Sequence, residues 1–341
     1  MSLSNVASEH LRIDLLTTQQ LLQLPPPTWL MEPLIPENGL VGLYGAPSGG
    51  KSFIALDWAM HISEGMAWLG KYATKQSPVI YIAAEGGRGI QKRVRSWMRA
   101  YNKTDLHAMY FLVSPLYVRE EGVVEAFLGE LERQDIYPGL VVLDTLSRSF
   151  GSGEENSSAD MGHFVDSVMR IAVGRHMSAL IVHHTNATGS RERGHTSFRG
   201  SLDAMFSCVS EKNGDGRIIR LTLKNDKQKD DVEAGAIYVQ PAVHGGTSLV
   251  FEEAPPPEKK ERPKGPTTRK ADILSILEAH PEGMNFREVL LVAGIAKSSC
   301  WRRLKRLQNM GDAYIDSGKY FAMASTVDLA DMEDEDESIE G

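Results

Sequence analysis

The stretch Gly45-Ala46-Pro47-Ser48-Gly49-Gly50-Lys51-Ser52 constrains this chain more than any other. It completes the phosphate-binding loop pattern G-x-x-x-x-G-K-[ST], which belongs at the junction of a strand and a helix. Both flanks agree. The apolar run Gly39–Tyr44 reads as a buried strand, and Phe53–Met60 places apolar residues at helical spacing. A glycine-rich turn between them exposes successive backbone N–H groups at a helix N-terminus, which makes a concave positive site for phosphates. In that geometry Lys51 reaches the β- and γ-phosphates of a nucleotide, and the Ser52 hydroxyl becomes a Mg²⁺ ligand. Gly45, Ala46, Pro47, Ser48, Gly49, Gly50, Lys51 and Ser52 are therefore the expected nucleotide-binding residues.

The 341 residues suffice for one large or two ordinary domains, and a 42% hydrophobic composition supports a sizeable core. No apolar run approaches the ~18–20 residues of a membrane-spanning helix. The first ten residues lack the basic-then-apolar pattern of a signal peptide. Cys208 and Cys300 lie too far apart in sequence to suggest a metal or disulfide framework. The expectation is a cytoplasmic protein with no membrane partner. Eight of the 45 acidic residues fall in Asp328–Gly341, which has no basic residue; the 37 that remain match the 37 lysines and arginines. The formal charge of −8 thus resides in the tail, residues 324–341, which reads as disordered and solvated, with a protein partner as the functional alternative.

Residues 1–38 read as a lead-in, with a short helix over Leu15–Leu24 and extended chain at Pro25-Pro26-Pro27. Over 39–253 strands alternate with helices. The strands are Val79–Ala84, Met109–Val113, Leu140–Leu143 and Ala179–Val182; the helices are Gly89–Tyr101, Val123–Arg133 and Ala159–Arg175. Near-continuous apolar strands separated by helices predict an α/β fold with a mainly parallel sheet covered on both faces. After Gly200, Ala204–Ser210, Arg217–Lys224 and Ala236–Gln240 read as antiparallel additions on one edge. Residues 254–268 are a linker rich in proline and charge. Residues 269–323 then give helices over Arg269–Ala279, Phe286–Val292 and Lys297–Met310, followed by a hairpin about Asp316-Ser317-Gly318. That pattern is a small winged helix-turn-helix domain.

Ligands of open parallel sheets sit at the carboxyl ends of the strands. Asp144, after Leu140–Leu143, is the expected second Mg²⁺ contact, through water. Hydrolysis also needs a base to orient water. Thr145 follows Asp144, so no glutamate is adjacent, and Glu85, expected at the end of the strand beside the phosphate loop, is the alternative. His183 and His184 follow Ala179–Val182; His184 is the better candidate to sense the γ-phosphate. The run Asn186–Thr196 is basic, polar and too long for a minimal turn. Arg199, Lys224 and Lys227 are candidate cations that a neighbouring subunit would supply to the γ-phosphoryl group.

Five motifs, GAPSGGKS at 45–52, YIAAEGG at 81–87, LVVLDTLSR at 140–148, ALIVHHTN at 179–186 and SFRGS at 197–201, together resemble the RecA/DnaB/KaiC ATPase superfamily. Within it they resemble the RepA-like branch, typified by hexameric replicative helicases of plasmids. The resemblance spans about residues 25–250. It implies a RecA-like core and a homo-oligomeric ring, expected to be a hexamer, with ATP at subunit interfaces. It further implies Lys51 and Ser52 on phosphate and Mg²⁺, Glu85 as base, Asp144 on Mg²⁺ and Arg199 as a trans-acting finger. The run 186–196 would then face a central channel and single-stranded DNA.

The third helix of the small domain carries Lys297, Arg302, Arg303, Lys305 and Arg306, with Ser298, Ser299 and Trp301 near its start. Such a helix suits DNA, although winged helices also dock proteins. Three functions are consistent with this sequence. They are an ATP-dependent DNA helicase of replication, an ATP-regulated DNA-binding regulator or recombination factor, and a protein-directed ATPase without a DNA role.

Overall fold

The computed structural model describes residues 15–85, 87–172, 175–185, 196–229, 231–244, 248–257 and 272–323. The expectations for the channel-facing run at 186–195, for the linker beyond 257 and for the acidic tail lie outside these residues. The chain divides into two compact units, Met1–Pro256 and Pro257–Gly341.

The first unit opens with α1 (Thr18–Leu22) and a small antiparallel pair, β1 (Trp29–Met31) and β2 (Ile35–Pro36). Its main sheet has nine strands: β3 (Leu40–Gly45), β4 (Val79–Ala83), β5 (Met109–Leu112), β6 (Leu140–Asp144), β7 (Ser178–His184), β8 (Ala204–Lys212), β9 (Ile218–Gln228), β10 (Ile237–His244) and β11 (Ser248–Glu253). Their order is β11-β10-β9-β8-β3-β7-β6-β4-β5. The six strands from β8 to β5 are parallel, and β9 to β11 add antiparallel. Every residue of β3, β4 and β6 is buried, which is why these strands read as unbroken apolar runs.

Side chains alternate across the strands and feed two cores. On one face α2 (Lys51–Glu64) and α3 (Gly87–Ala100) pack Ile54, Trp58, Ile90 and Trp97 against Leu43, Tyr81 and Phe206. On the other, α4 (Val123–Arg133), the short α5 (Leu146–Ser149), α6 (Ser158–Ile171) and α7 (Thr196–Ser201) bring Val124, Leu146, Phe164 and Phe198 against Tyr44, Ile82 and Met205.

Three sequence expectations change here. The strand that ends before Glu85 is not beside the phosphate-loop strand. It adjoins β6, and β7 and β6 separate it from β3. Strand order is set by crossovers between distant segments, which local periodicity does not encode. The strand from Ala204 is parallel to β3 rather than an antiparallel addition, and β11 completes the far edge unforeseen. His183 and His184 lie within β7 rather than after it, where they pair in register with Tyr44 and Gly45.

One polar cluster sits inside the first core. Asp57, 3% exposed, accepts the indole N–H of Trp68 and of Trp97, each at 2.8 Å, and its Oδ1 lies 3.3 Å from His61 Nδ1. Burial lowers the basicity of His61, but the Asp57 charge and the hydrogen bonds to the Asp57 carboxylate and carbonyl together raise its pKa above the ordinary value. Asp57 thus ties α2 to α3 and to the segment that follows α2. Asp57→Ala leaves both indole N–H groups without an acceptor in a buried site, while His61 Nδ1 keeps the Asp57 carbonyl at 2.8 Å; the expected loss is about 3–5 kcal/mol of stability, read from denaturant unfolding.

In the second unit α8 (Ile273–Glu278), α9 (Phe286–Ala293) and α10 (Lys297–Met310) enclose a core of Ile273, Leu277, Val289, Cys300 and Leu304. A three-stranded sheet of β12 (Met284–Asn285), β13 (Ala313–Asp316) and β14 (Lys319–Ala322) completes it. Asn285 caps α9 in a reciprocal box: Oδ1 accepts from the Arg287 and Glu288 N–H groups, and Glu288 Oε2 accepts from the Asn285 N–H at 2.8 Å.

Candidate active site

The carboxyl end of β3 delivers Gly45, and α2 starts at Lys51, so the phosphate loop is the link between them. Gly50 precedes α2 with φ +91°, a conformation open to glycine, and a Cβ there would stand 2.9 Å from Leu221 Cδ1. The Gly49 N–H donates to Ala46 O at 3.1 Å and closes the turn. Two neighbouring strands hold the loop from outside. Thr185 N–H donates to Gly45 O at 3.1 Å, and the Cys208 thiol donates to Gly49 O at 3.4 Å. Burial pushes that thiol up to about 12, so it stays protonated and donates.

Lys51 is 4% exposed and donates to Ala46 O at 2.9 Å, with His184 Nδ1 at 3.3 Å. Burial lowers its pKa, and the nearby Asp144 and Glu85 charges work against that fall. At the end of β6, Asp144 Oδ1 accepts the Ser52 hydroxyl at 2.9 Å and Oδ2 accepts the Tyr81 hydroxyl at 2.7 Å. Burial raises the Asp144 pKa, opposed by these two hydrogen bonds and by Arg93. The site therefore holds a desolvated cation and a desolvated carboxylate. An anion beside Lys51 and a cation beside Asp144 would each relieve that penalty. Ser52 Oγ and Asp144 Oδ1 are also a fitting donor set for Mg²⁺, which takes one or two protein oxygens and keeps several waters.

Glu85 stands in the turn after β4, one strand from Asp144; Ala83 and Asp144 are register partners. Thr145 Oγ1 donates to Glu85 Oε1 at 2.7 Å, and His184 Nε2 and Arg148 Nε each lie 3.9 Å from that oxygen. His184 thus spans the gap between Lys51 and Glu85. Burial and the Lys51 charge lower its pKa, which favours neutral imidazole.

The structure brings together the loop, Lys51, Ser52, Glu85, Asp144 and His184. It places Arg199, Lys224 and Lys227 elsewhere. Leu221 and Leu223 of β9 face α2, so Lys224 alternates to the other face, where it is exposed opposite Ser207. Arg199 extends from α7 on that same face and donates to Asp226 O at 2.8 Å; Lys227 Nζ donates to Arg199 O at 2.8 Å. Burial and the neighbouring Lys229 lower the Lys227 pKa.

Three residues of the site escape sequence reasoning. Tyr81 looks like one more core residue in an apolar strand. Thr145 looks like a helix cap. Arg93, half-buried with its guanidinium 4.3 Å from the Phe53 ring centroid, looks like the solvated side of an amphipathic helix, yet its charge acts on both Asp144 and Tyr81.

Residues 7–190 match a family described as an AAA domain, and residues 268–311 match one described as winged helix-turn-helix DNA-binding. No curated protein matches the chain. Among solved structures the chain is similar to the crystal structure of the RadB recombinase, at 14% identity and a TM-score of 0.45, over 64% of this chain and 92% of that one. The first unit is an α/β domain of the AAA family built on a mainly parallel sheet around the phosphate loop, and the second is a small winged helix-turn-helix unit. Among the described residues no helix is long and apolar enough to cross a membrane.

Proposed function

The chain belongs to the AAA domain family, and from that premise we propose that it is an ATP-hydrolysing motor that acts on DNA, a replicative helicase of the RepA-like kind. The observation that carries this reading is the Ser52–Asp144 couple with Glu85 supplied by the adjacent strand. The loop backbone and Lys51 bind the triphosphate. Ser52 and Asp144 would hold Mg²⁺, which would screen the phosphate charge. Glu85 orients the attacking water and accepts its proton. His184, between Lys51 and Glu85, registers the γ-phosphate.

The site is completed by a second copy in a homo-oligomeric ring, expected to be hexameric. Arg199, Lys224 and Lys227 lie on the sheet face away from α2, which suits cations offered to a neighbour's nucleotide rather than to their own. Single-stranded DNA is the track. The winged helix is the second DNA contact: α10 exposes Trp301, Arg302, Lys305 and Arg306, and Lys305 sits 4.9 Å from the Trp301 ring centroid.

That exposed helix face also favours the second reading, an ATP-regulated DNA-binding regulator or recombination factor without unwinding. ATP hydrolysis with and without single-stranded DNA, run beside a strand-displacement assay, separates the two. Stimulation by several-fold with displacement is the expected result. Stimulation without displacement leaves the regulator, and the absence of both leaves a protein-directed ATPase without a DNA role.

A further inference from the structure

Thr145 is the N-cap residue of α5, where a threonine hydroxyl ordinarily accepts a backbone N–H hydrogen bond. Here the side chain makes no capping bond. Its hydroxyl is turned instead across the sheet and donates to Glu85 Oε1 at 2.7 Å. Thr145 is 2% exposed, so bulk water does not compete for that donor. The backbones beneath are locked as well: Ala84 N–H donates to Asp144 O at 2.9 Å. His184 Nε2 and Arg148 Nε, at 3.9 Å from the same oxygen, are beyond hydrogen-bond reach and cannot fix its direction.

We infer that Thr145 is the positioning residue that aims Glu85 at the attacking water. The inference rests on the reading of Glu85 as the base. Glu85 needs such a partner. Its side chain is 40% exposed, stands in a turn rather than a strand, and has three rotatable bonds. A short hydrogen bond from a hydroxyl to a carboxylate pins one oxygen and leaves Oε2 to accept from water. The strand that carries Asp144 therefore does two jobs at its end. Asp144 serves the metal, and the next residue, in place of a glutamate of its own, grips the glutamate of the neighbouring strand.

The test uses the full-length chain. Thr145→Val keeps the β-branched shape and removes the hydroxyl; Thr145→Ser keeps the hydroxyl. Each is made alone and in a Glu85→Gln background, and steady-state ATP hydrolysis is compared with binding of a fluorescent ATP analogue. The valine variant is expected to lose about tenfold in kcat, the rate equivalent of one hydrogen bond to a charged acceptor, with nucleotide affinity unchanged. The serine variant is expected within about twofold of the parent on that same scale. In the Glu85→Gln background, valine should add no further loss. An unchanged or faster Thr145→Val enzyme, beside an inactive Glu85→Gln, overturns the role of Thr145 alone. Equal valine losses in both backgrounds do the same. Undiminished hydrolysis by Glu85→Gln overturns the reading of the base and this inference together. Should the valine variant not fold, Thr145→Ala gives the same comparison.

Discussion

Lys51→Ala is expected to lower ATP hydrolysis by at least about 10²–10³-fold, the scale on which removing one preorganised donor to developing charge acts in enzymes. The side chain is 4% exposed and folded into the loop against Ala46 O, at the site the phosphates would occupy. Its loss should not unfold the protein, because burial disfavours the charged ammonium in the ligand-free site. Alanine removes a desolvated cation and leaves the Gly49–Ala46 turn intact. Phosphate release and thermal unfolding, measured on the same preparation, check both halves. Undiminished turnover would sink the site, and a collapse in melting temperature would turn the loss of activity into one of folding.

Glu85→Gln is expected to keep nucleotide binding and lose hydrolysis by about 10²–10⁴-fold, the range of a positioned general base. Glutamine keeps the length and can still accept from Thr145 Oγ1, so the local geometry survives while the proton acceptor does not. The variant also probes the assembly. Arg199→Ala subunits should bind ATP without hydrolysing it, for want of a neighbour's cation. Mixed with Glu85→Gln subunits they should regain part of the activity, because a mixed interface can pair an intact Glu85 with an intact Arg199. No recovery at any ratio counts against a finger acting in trans.

Much of this site is legible in the sequence because its chemistry is tied to strand ends. The phosphate loop declares itself by spacing, and Glu85 is reached as the proposed base through what Asp144 lacks: its neighbour is Thr145, not a glutamate. What stays hidden is adjacency between segments distant in sequence. The chain gives no sign that β4 lies next to β6, with two strands between it and β3, and so none that Thr145 and Glu85 meet. Tyr81 is hidden for a related reason. An aromatic residue in an apolar strand satisfies every core criterion, and only the tertiary structure reveals that its hydroxyl ends on Asp144. The far edge was harder still. Its strands β9 to β11 are half-polar and joined by turns, so their periodicity is weak, and β11 has no local signal strong enough to separate it from a loop.

The buried carboxylate of α2 has a consequence for how work could leave this site. Asp57 lies two turns beyond the phosphate loop on the same helix and is moored to two tryptophans, one of them on α3, the helix that begins just after Glu85. Loop, helix and the root of the catalytic turn are thus bolted to one frame, and 11 of the 14 residues of α2 are buried within it. A frame of that kind is an anvil. Under the proposed function such a frame would stay in place when a phosphate is lost, and the stroke would fall to the lighter parts that touch it, of which the end of β7 at His184 and Thr185 lies beside the loop.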